Sequence, residues 1–179
     1  MTRTSPGHFR QTGHDLLGIY LNDHLAGATG GAQLARRSAD SHRGQPADSA
    51  ALRRLAGEVA DDRAELLRIM KTLGIAPRTY KVYAGWIGER AGRLKLNGHL
   101  LSRSPLSSLE ELELLRLAVE GKAAGWRTLR TLADSDGRLD AARLDELIAR
   151  ARRQADLLEQ LRIQAVERVI SSDSVSHGE

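Results

Sequence analysis

The sequence contains no cysteine and few aromatic residues. The absence of cysteine excludes disulfide bonds, thiolate catalysis and zinc or iron–sulfur sites with cysteine ligands. One Phe, three Tyr and two Trp in 179 residues, together with few β-branched side chains, leave little that favours β-strands. Alanine, leucine and arginine are abundant instead, and all three favour helix. We therefore predict an all-α fold.

Long hydrophobic runs are also missing from the sequence. No apolar stretch approaches the roughly 20 residues that a membrane-spanning helix requires, and residues 1–11 lack the apolar region of a secretory signal. A hydrophobic content of 41% in 179 residues fits one globular domain with a sizeable core. We expect a cytoplasmic protein without a transmembrane segment.

Apolar residues recur at helical spacing in four segments of the chain. We predict a flexible leader at residues 1–11, a helical bundle domain at 12–170 and a disordered tail at 171–179. The predicted helices cover about 12–39, 48–73, 104–133 and 140–170. Gly74 and Pro77 form a stop signal after the second helix. Asp140 is placed to cap the fourth helix, with Leu139 and Leu144 as a hydrophobic staple.

The lengths of the connections predict the topology. Short loops join the first helix to the second and the third to the fourth, so each pair should form an antiparallel hairpin. Thirty residues lie between Gly74 and Pro105, enough to return along the bundle and make the second and third helices parallel. Two hairpins with one long crossover form a ferritin-like four-helix bundle. We expect a short extra helix within the crossover, from Pro77 to about Arg90.

One acidic residue interrupts an otherwise apolar stripe of the second helix. The stripe consists of Leu52, Leu55, Val59, Asp62, Leu66, Ile69 and Leu73, at alternating steps of three and four. Asp62 has two interpretations. It is a metal ligand, or it is a buried acid paired with a hydroxyl or a cation such as Lys122, which falls on the apolar stripe of the third helix.

The metal interpretation uses four acids on the inward faces of three helices, namely Asp23, Asp62, Glu65 and Glu120. Ferritin-like di-metal sites combine a Glu from each of two helices with a Glu-x-x-His pair from each of the other two. Asp62 and Glu65 have the spacing of such a pair without the histidine, and no histidine occurs between residues 100 and 176. Iron or manganese is therefore an alternative to our leading expectation that no cofactor is bound.

Two features of the first helix are unusual for a helix interior. His24, next to Asp23, is interpreted as a ligand, a base or a core residue. Glycines at 18, 27, 30 and 31 each cost about 1 kcal/mol of helix propensity relative to alanine. We interpret these small residues as allowing a neighbouring helix or a ligand to approach the backbone closely.

Positive charge is concentrated in the crossover. Residues 76–105 carry six cations and one anion, a balance of +5, whereas the net charge of the whole chain is +4. Tyrosine and tryptophan residues alternate with these cations. Residues 78–103 either contact an anionic surface or acidic partner or form a solvated face at the end of the bundle. The contact residues in the first case are Lys81, Arg90, Arg93 and Lys95.

Three segments resemble an uncharacterised bacterial family related to the ferritin-like superfamily. They are LGIYLNDHLAGATGGAQLARR (17–37), GWIGERAGRLKLNG (85–98) and LRLAVEGKAAGWRTL (115–129). The resemblance covers nearly all of residues 14–170. It implies the ferritin-like fold and, from the wider superfamily, a di-metal carboxylate centre for oxidation or storage.

These observations lead to two expectations of function. The first is a non-enzymatic ferritin-like bundle with an interaction or stress-related role, in which the basic crossover is the contact surface. The second is a metal-binding protein or oxidoreductase that uses the four acids named above. The partner is left open, and a homodimer is one alternative, because bundles of this class often self-associate.

Overall fold

The computed structural model describes residues 6–42, 46–78 and 105–176, with side chains for 13–42, 46–78 and 106–170. These residues form four helices and contain no β-strand. The helices are α1 (Pro6–Ser41), α2 (Pro46–Thr72), α3 (Pro105–Ala133) and α4 (Ala141–Ser176). The prediction of an all-α, four-helix fold is confirmed. None of these helices combines the length and the apolar character that crossing a membrane requires.

The two outer helix ends extend beyond their predicted limits. α1 begins at Pro6 rather than after Thr12. A proline suits the first turn of a helix because the N–H groups of that turn have no intrahelical acceptor, so proline loses no hydrogen bond there. α4 continues to Ser176 rather than ending near Ile170. No glycine or proline interrupts this segment before Gly178. Parts of the predicted flexible leader and tail are therefore helical.

The C-terminus of α2 ends as the glycine signal predicts. Gly74 has a φ of 73°, a left-handed conformation that glycine adopts without strain. Its N–H donates to the carbonyl of Lys71 (3.1 Å), and the N–H of Ile75 donates to that of Met70 (2.8 Å). Ile75 and Met70 are both buried. This is a Schellman motif, in which the last carbonyls of the helix gain donors and two apolar side chains enter the core.

The start of α4 is capped by Asp140, also as predicted. The Asp140 carboxylate accepts a hydrogen bond from the backbone N–H of Arg143 at 3.0 Å. Leu139 and Leu144 on either side of the cap are both buried. The cap and the staple together fix where the chain turns from α3 into α4.

Contacts between helices that follow each other in the chain show two antiparallel hairpins. In the first, Ser49 Oγ donates to the carbonyl of Ala39, while His14 Nε2 lies 3.2 Å from the carbonyl oxygen of Leu73. The start of α1 therefore meets the end of α2. In the second hairpin the ion pairs Arg130–Asp145 and Arg116–Glu159 relate α3 and α4 in the same antiparallel way.

The two hairpins pack together through α1 against α3 and α2 against α4. The Tyr20 hydroxyl donates to Thr128 Oγ1 at 3.0 Å, and Gly31 lies beside Ala118, so α3 runs antiparallel to α1. Because α2 is also antiparallel to α1, α2 and α3 run parallel to each other. The predicted parallel arrangement of α2 and α3 is thus observed. The short helix expected in the crossover falls mainly on residues 79–104, outside the described residues.

The core consists of the leucine stripes of the four helices. In α4 the stripe consists of seven buried residues, namely Leu144, Leu147, Ala151, Gln154, Leu158, Leu161 and Ala165. In α2 every predicted stripe residue is buried except Ile69, which is partly buried. Burying each leucine contributes roughly 1.5–3 kcal/mol. Two polar residues of these stripes, Asp62 and Gln154, therefore lie inside the bundle.

Candidate ligand-binding site

Asp62 lies at the centre of a buried ion cluster formed by three helices. Its side chain is only 2% exposed, and its carboxylate accepts hydrogen bonds from Lys122 Nζ (2.5 Å) and from the guanidinium of Arg150. Gln154 Nε2 donates to Asp62 Oδ2 (3.3 Å) and to Glu58 Oε2 (2.8 Å), and Gln154 Oε1 accepts from Lys122. We call Glu58, Asp62, Lys122, Arg150 and Gln154 the core ion cluster.

The helical repeat explains why these residues meet. Asp62 and Gln154 occupy stripe positions of α2 and α4, and Lys122 lies one turn before the buried Trp126 on α3. Arg150 precedes Gln154 by four residues and so shares its helix face. The interpretation of Asp62 as a buried acid paired with Lys122 is confirmed by their ion pair.

Burial and charge act in opposite directions on Lys122. Burial lowers the pKa of Lys122 below its usual value, and the adjacent Asp62 carboxylate partly restores it. Removing either partner would leave the other charged and poorly hydrated, which is costly in a protein interior. The apolar surroundings therefore favour the ion pair between Lys122 and Asp62 over two separated charges.

A partly open cavity of about 680 Å³ lies between α1 and α3, next to the core ion cluster. We call it the α1–α3 cavity. Most of its lining is apolar, with Leu, Val and Ala side chains from α1, α2 and α3. Five glycines also line it, namely Gly27, Gly30, Gly31, Gly121 and Gly125. The volume lies within the roughly 300–1,000 Å³ range of small-molecule sites.

A few polar groups face or border this apolar space. Asp62 and Lys122 of the core ion cluster belong to the lining, as does Trp126, which is 2% exposed. Trp126 Nε1 is buried and has no hydrogen-bond partner in the part of the chain that the structure describes. A mostly apolar cavity with a few convergent polar groups is the usual form of a ligand site.

His24 lines the cavity from α1. Its ring packs edge-on against Tyr20, with the ring centroids 4.4 Å apart. Gly125 approaches so closely that a Cβ there would lie 3.0 Å from the imidazole. Burial lowers the pKa of His24, and the neighbouring Asp23 carboxylate opposes that shift. The imidazole is therefore neutral at pH 7 and acts as a partly buried wall of the cavity.

The four predicted metal ligands have different surroundings. Asp23 and Glu120 are exposed, and Asp62 is bonded to two cations. Glu65 pairs with Arg68 and with Arg143 at 3.3 Å. Burial raises its pKa, but the hydrogen bonds and charges of the two arginines together outweigh burial, and the pKa is lowered. The described residues contain no group of three or more metal-ligating side chains placed to share one ion.

The predicted anion-contact residues Lys81, Arg90, Arg93 and Lys95 lie outside the described residues. The basic contact surface therefore stays a prediction, as does the homodimer.

Three features of the site were not predicted from the sequence: Arg150, the Trp126 indole and the cavity. Arg150 lies off the apolar stripe of α4, and only its spacing of four from Gln154 could have indicated it. The unpartnered indole of Trp126 has no sequence signal. For the cavity, the sequence indicated only that the glycines of α1 allow a neighbouring helix or a ligand to approach the backbone closely.

Comparisons with protein-family models, with curated proteins and with solved structures returned no match to this chain.

Proposed function

We propose that this chain is a non-enzymatic, ferritin-like helical bundle whose role is to bind a small, largely apolar molecule. The observation that carries the proposal is the α1–α3 cavity, which has the volume and the mostly apolar lining of a ligand site. The interaction role expected from the sequence, with the basic crossover as its contact surface, is a separate prediction.

The glycines of the cavity support this proposal. A side chain added at Gly27 or Gly121 would have no atom within 4 Å of its Cβ, so helix packing does not require glycine at either position. Each glycine nevertheless costs about 1 kcal/mol of helix propensity. Leaving the cavity unfilled is an explanation that accounts for both positions.

The ferritin-like part of the proposal rests on topology. Two antiparallel hairpins, parallel α2 and α3, and a long connector between them are the features of the one-crossover bundle.

A cavity-filling variant with a matched control tests the binding role. Gly27→Leu places a large side chain beside the cavity. Gly57→Leu places the same side chain on an exposed position of α2, where a Cβ also meets no neighbour and no cavity wall is involved. We expect the neutral fluorophore N-phenyl-1-naphthylamine to bind wild type and Gly57→Leu saturably, with one site per chain. Affinity should fall at least tenfold in Gly27→Leu.

Two results would contradict the binding role. One is the absence of saturable binding to wild type. The other is an equal loss of affinity in both leucine variants, because the loss would then not arise in the cavity.

The alternative function is a metal-binding protein or oxidoreductase with iron or manganese held by Asp23, Asp62, Glu65 and Glu120. Asp62 and Glu65 would first have to release the cations now bonded to them. Metal analysis of protein purified without chelator, as wild type and as Asp62→Ala, tests this alternative. Stoichiometric metal that is lost in the variant would establish it, and a metal-free wild type would end it.

A further inference from the structure

We infer that the molecule bound in the α1–α3 cavity is an amphipathic carboxylate, whose anionic head group docks on Lys122 and whose aliphatic body fills the apolar part of the cavity. This inference rests on the proposed binding function and adds the chemical class of the ligand.

The first argument is that the unused hydrogen-bonding groups of two lining residues are both donors. An ammonium group has three N–H donors, and Lys122 uses one on Asp62 and one on Gln154 in the part of the chain that the structure describes. The buried Nε1–H of Trp126 is a second unused donor in a residue of the cavity wall. Since both groups are donors, the complementary head group is an acceptor. Carboxylate oxygens accept hydrogen bonds from ammonium groups strongly.

The second argument is charge. Asp62 is a single carboxylate bonded to two partly buried cations, Lys122 and Arg150, so these three groups carry one positive charge in excess. Glu58, the remaining acid of the cluster, also attracts Lys122, but it is exposed and acts on Lys122 less strongly than Asp62 does. An anion placed beside Lys122 therefore meets attraction, whereas a second cation would meet repulsion.

The third argument concerns where the head group lies. Asp23 also lines the cavity, but it is exposed, and its negative charge disfavours an anion at that position. His24 next to it is neutral at pH 7 because burial lowers its pKa. The head group is thus directed to Lys122 at the inner wall. The apolar walls of the cavity remain for an aliphatic chain, in which each buried CH₂ group raises affinity about fourfold.

Three ligands of equal chain length test the inference on wild-type protein. Decanoate, decanol and decylamine differ only in head group, and each is titrated below its micelle concentration in competition with the neutral fluorophore. We expect decanoate to bind at least tenfold more tightly than decanol, and decylamine to bind most weakly. No preference for decanoate, or a preference for the amine, would overturn the inference.

A variant pair locates the effect. Lys122→Met keeps an unbranched side chain one atom shorter and removes its charge, and the exposed Lys71 of α2 provides the control Lys71→Met. We expect Lys122→Met to reduce decanoate affinity to that of decanol, with decanol affinity changed by less than about threefold. Lys71→Met should keep the wild-type ranking. An unchanged preference for decanoate in Lys122→Met would overturn the inference, and if that variant does not fold, the wild-type ranking decides.

The two proposals fail in different ways. If decanol binds, is blocked by Gly27→Leu and is not surpassed by decanoate, the cavity binds ligands but not carboxylates, and only the present inference fails. If wild type binds none of the three ligands and no fluorophore, both proposals fail.

Discussion

The two hairpins meet along two walls that have opposite chemistry. In the α2–α4 wall, long charged or amide side chains bridge the helices at four successive levels, as Asp48–Arg168, Glu58–Gln154, Asp62–Arg150 and Glu65–Arg143. In the α1–α3 wall the backbones approach more closely, with Gly31 beside Ala118 and Gly125 against the His24 ring. Tyr20–Thr128 is a hydrogen bond between side chains that joins α1 to α3.

The difference shows how one bundle combines a fixed alignment of its helices with an internal cavity. A ladder of charged pairs permits few alternative alignments, because a shift of α4 along α2 would separate every pair at once. We therefore interpret the α2–α4 wall as the one that fixes register, a role that buried polar groups have in some proteins. The α1–α3 wall gives up side-chain volume, and this leaves the cavity.

The largest effect is expected from removing the carboxylate that joins the two walls. Asp62→Ala leaves Lys122 and Arg150, with side chains 11% and 21% exposed, without their shared counter-charge. Breaking a buried pair in this way costs about 3 kcal/mol or more of unfolding free energy. Urea denaturation monitored by circular dichroism measures it. The neighbouring exposed acid gives the control Asp61→Ala, for which we expect a change within about 0.5 kcal/mol. Equal effects of the two substitutions would show that the cluster does not stabilise the fold.

Gly121 and Gly125 of α3 differ in the space that surrounds them in the α1–α3 wall. Gly121→Ala should stabilise the protein by about 1 kcal/mol, because alanine favours helix and its Cβ meets no atom within 4 Å. Gly125→Ala should lose that gain, since its Cβ would press on the His24 ring at 3.0 Å. Thermal unfolding of both variants measures the difference. The same stabilisation in both would mean that the ring moves aside freely.

A smaller effect is expected at the exposed part of the α2–α4 wall. Arg143→Met removes the ion pairs with Glu65 of α2 and Glu146 of α4, in which the arginine side chain is 39% exposed. Such pairs contribute about 0.2–1 kcal/mol and weaken as salt rises. We expect a loss of about 0.5 kcal/mol at low salt that shrinks at 1 M NaCl. Arg152→Met, at an exposed position of the same helix, is the control. A loss that does not depend on salt would point to packing rather than charge.

The smallest effect is the acid sensitivity of the same wall. The folded state holds the pKa of Glu65 below its usual value, so the stabilisation is complete above the unfolded pKa and is lost as pH falls through the folded pKa. Glu65→Gln should therefore lose less Tm than wild type between pH 5 and pH 2.5. Glu120→Gln, at an exposed position of α3, should follow wild type.

A separate acid in the α3–α4 turn titrates in the same pH range in all three proteins. The hydrogen bond from Arg138 lowers the pKa of Asp136 to about 2. Its contribution cancels when the Tm curves of wild type and the Glu65 variant are subtracted. Identical curves for these two proteins would show that Glu65 does not make the wall acid-sensitive.

The sequence predicts the features that depend on neighbouring residues in the chain. Gly74 and Asp140 mark helix ends through local backbone rules, and a regular repeat placed Asp62 on an apolar stripe, with Lys122 as one of the partners considered besides a metal ion. The cavity was beyond reach because its volume depends on the distance between two helices that are far apart in the sequence. Arg150 was missed since a long side chain reaches the core from a position beside the apolar stripe.

The structure also contains a polar anchor that the sequence analysis did not find. Asn22 of α1 is buried, and its side-chain amide donates to the carbonyls of Gly18 (2.8 Å) and Ala76 (3.2 Å). Its Oδ1 accepts a hydrogen bond from the backbone N–H of Arg78 at 2.6 Å. The amide thus satisfies backbone groups that follow α2 and belong to no helix.

This anchor fixes the point from which the chain must reach α3. Residues 79–104 remain to travel the length of α3, a helix of 29 residues. That distance is about 44 Å at 1.5 Å per residue, whereas 26 extended residues span about 86 Å. The extended length of these residues is therefore roughly twice the distance to be bridged, so variants with several of residues 79–104 deleted should still allow both hairpins to assemble with α2 and α3 parallel.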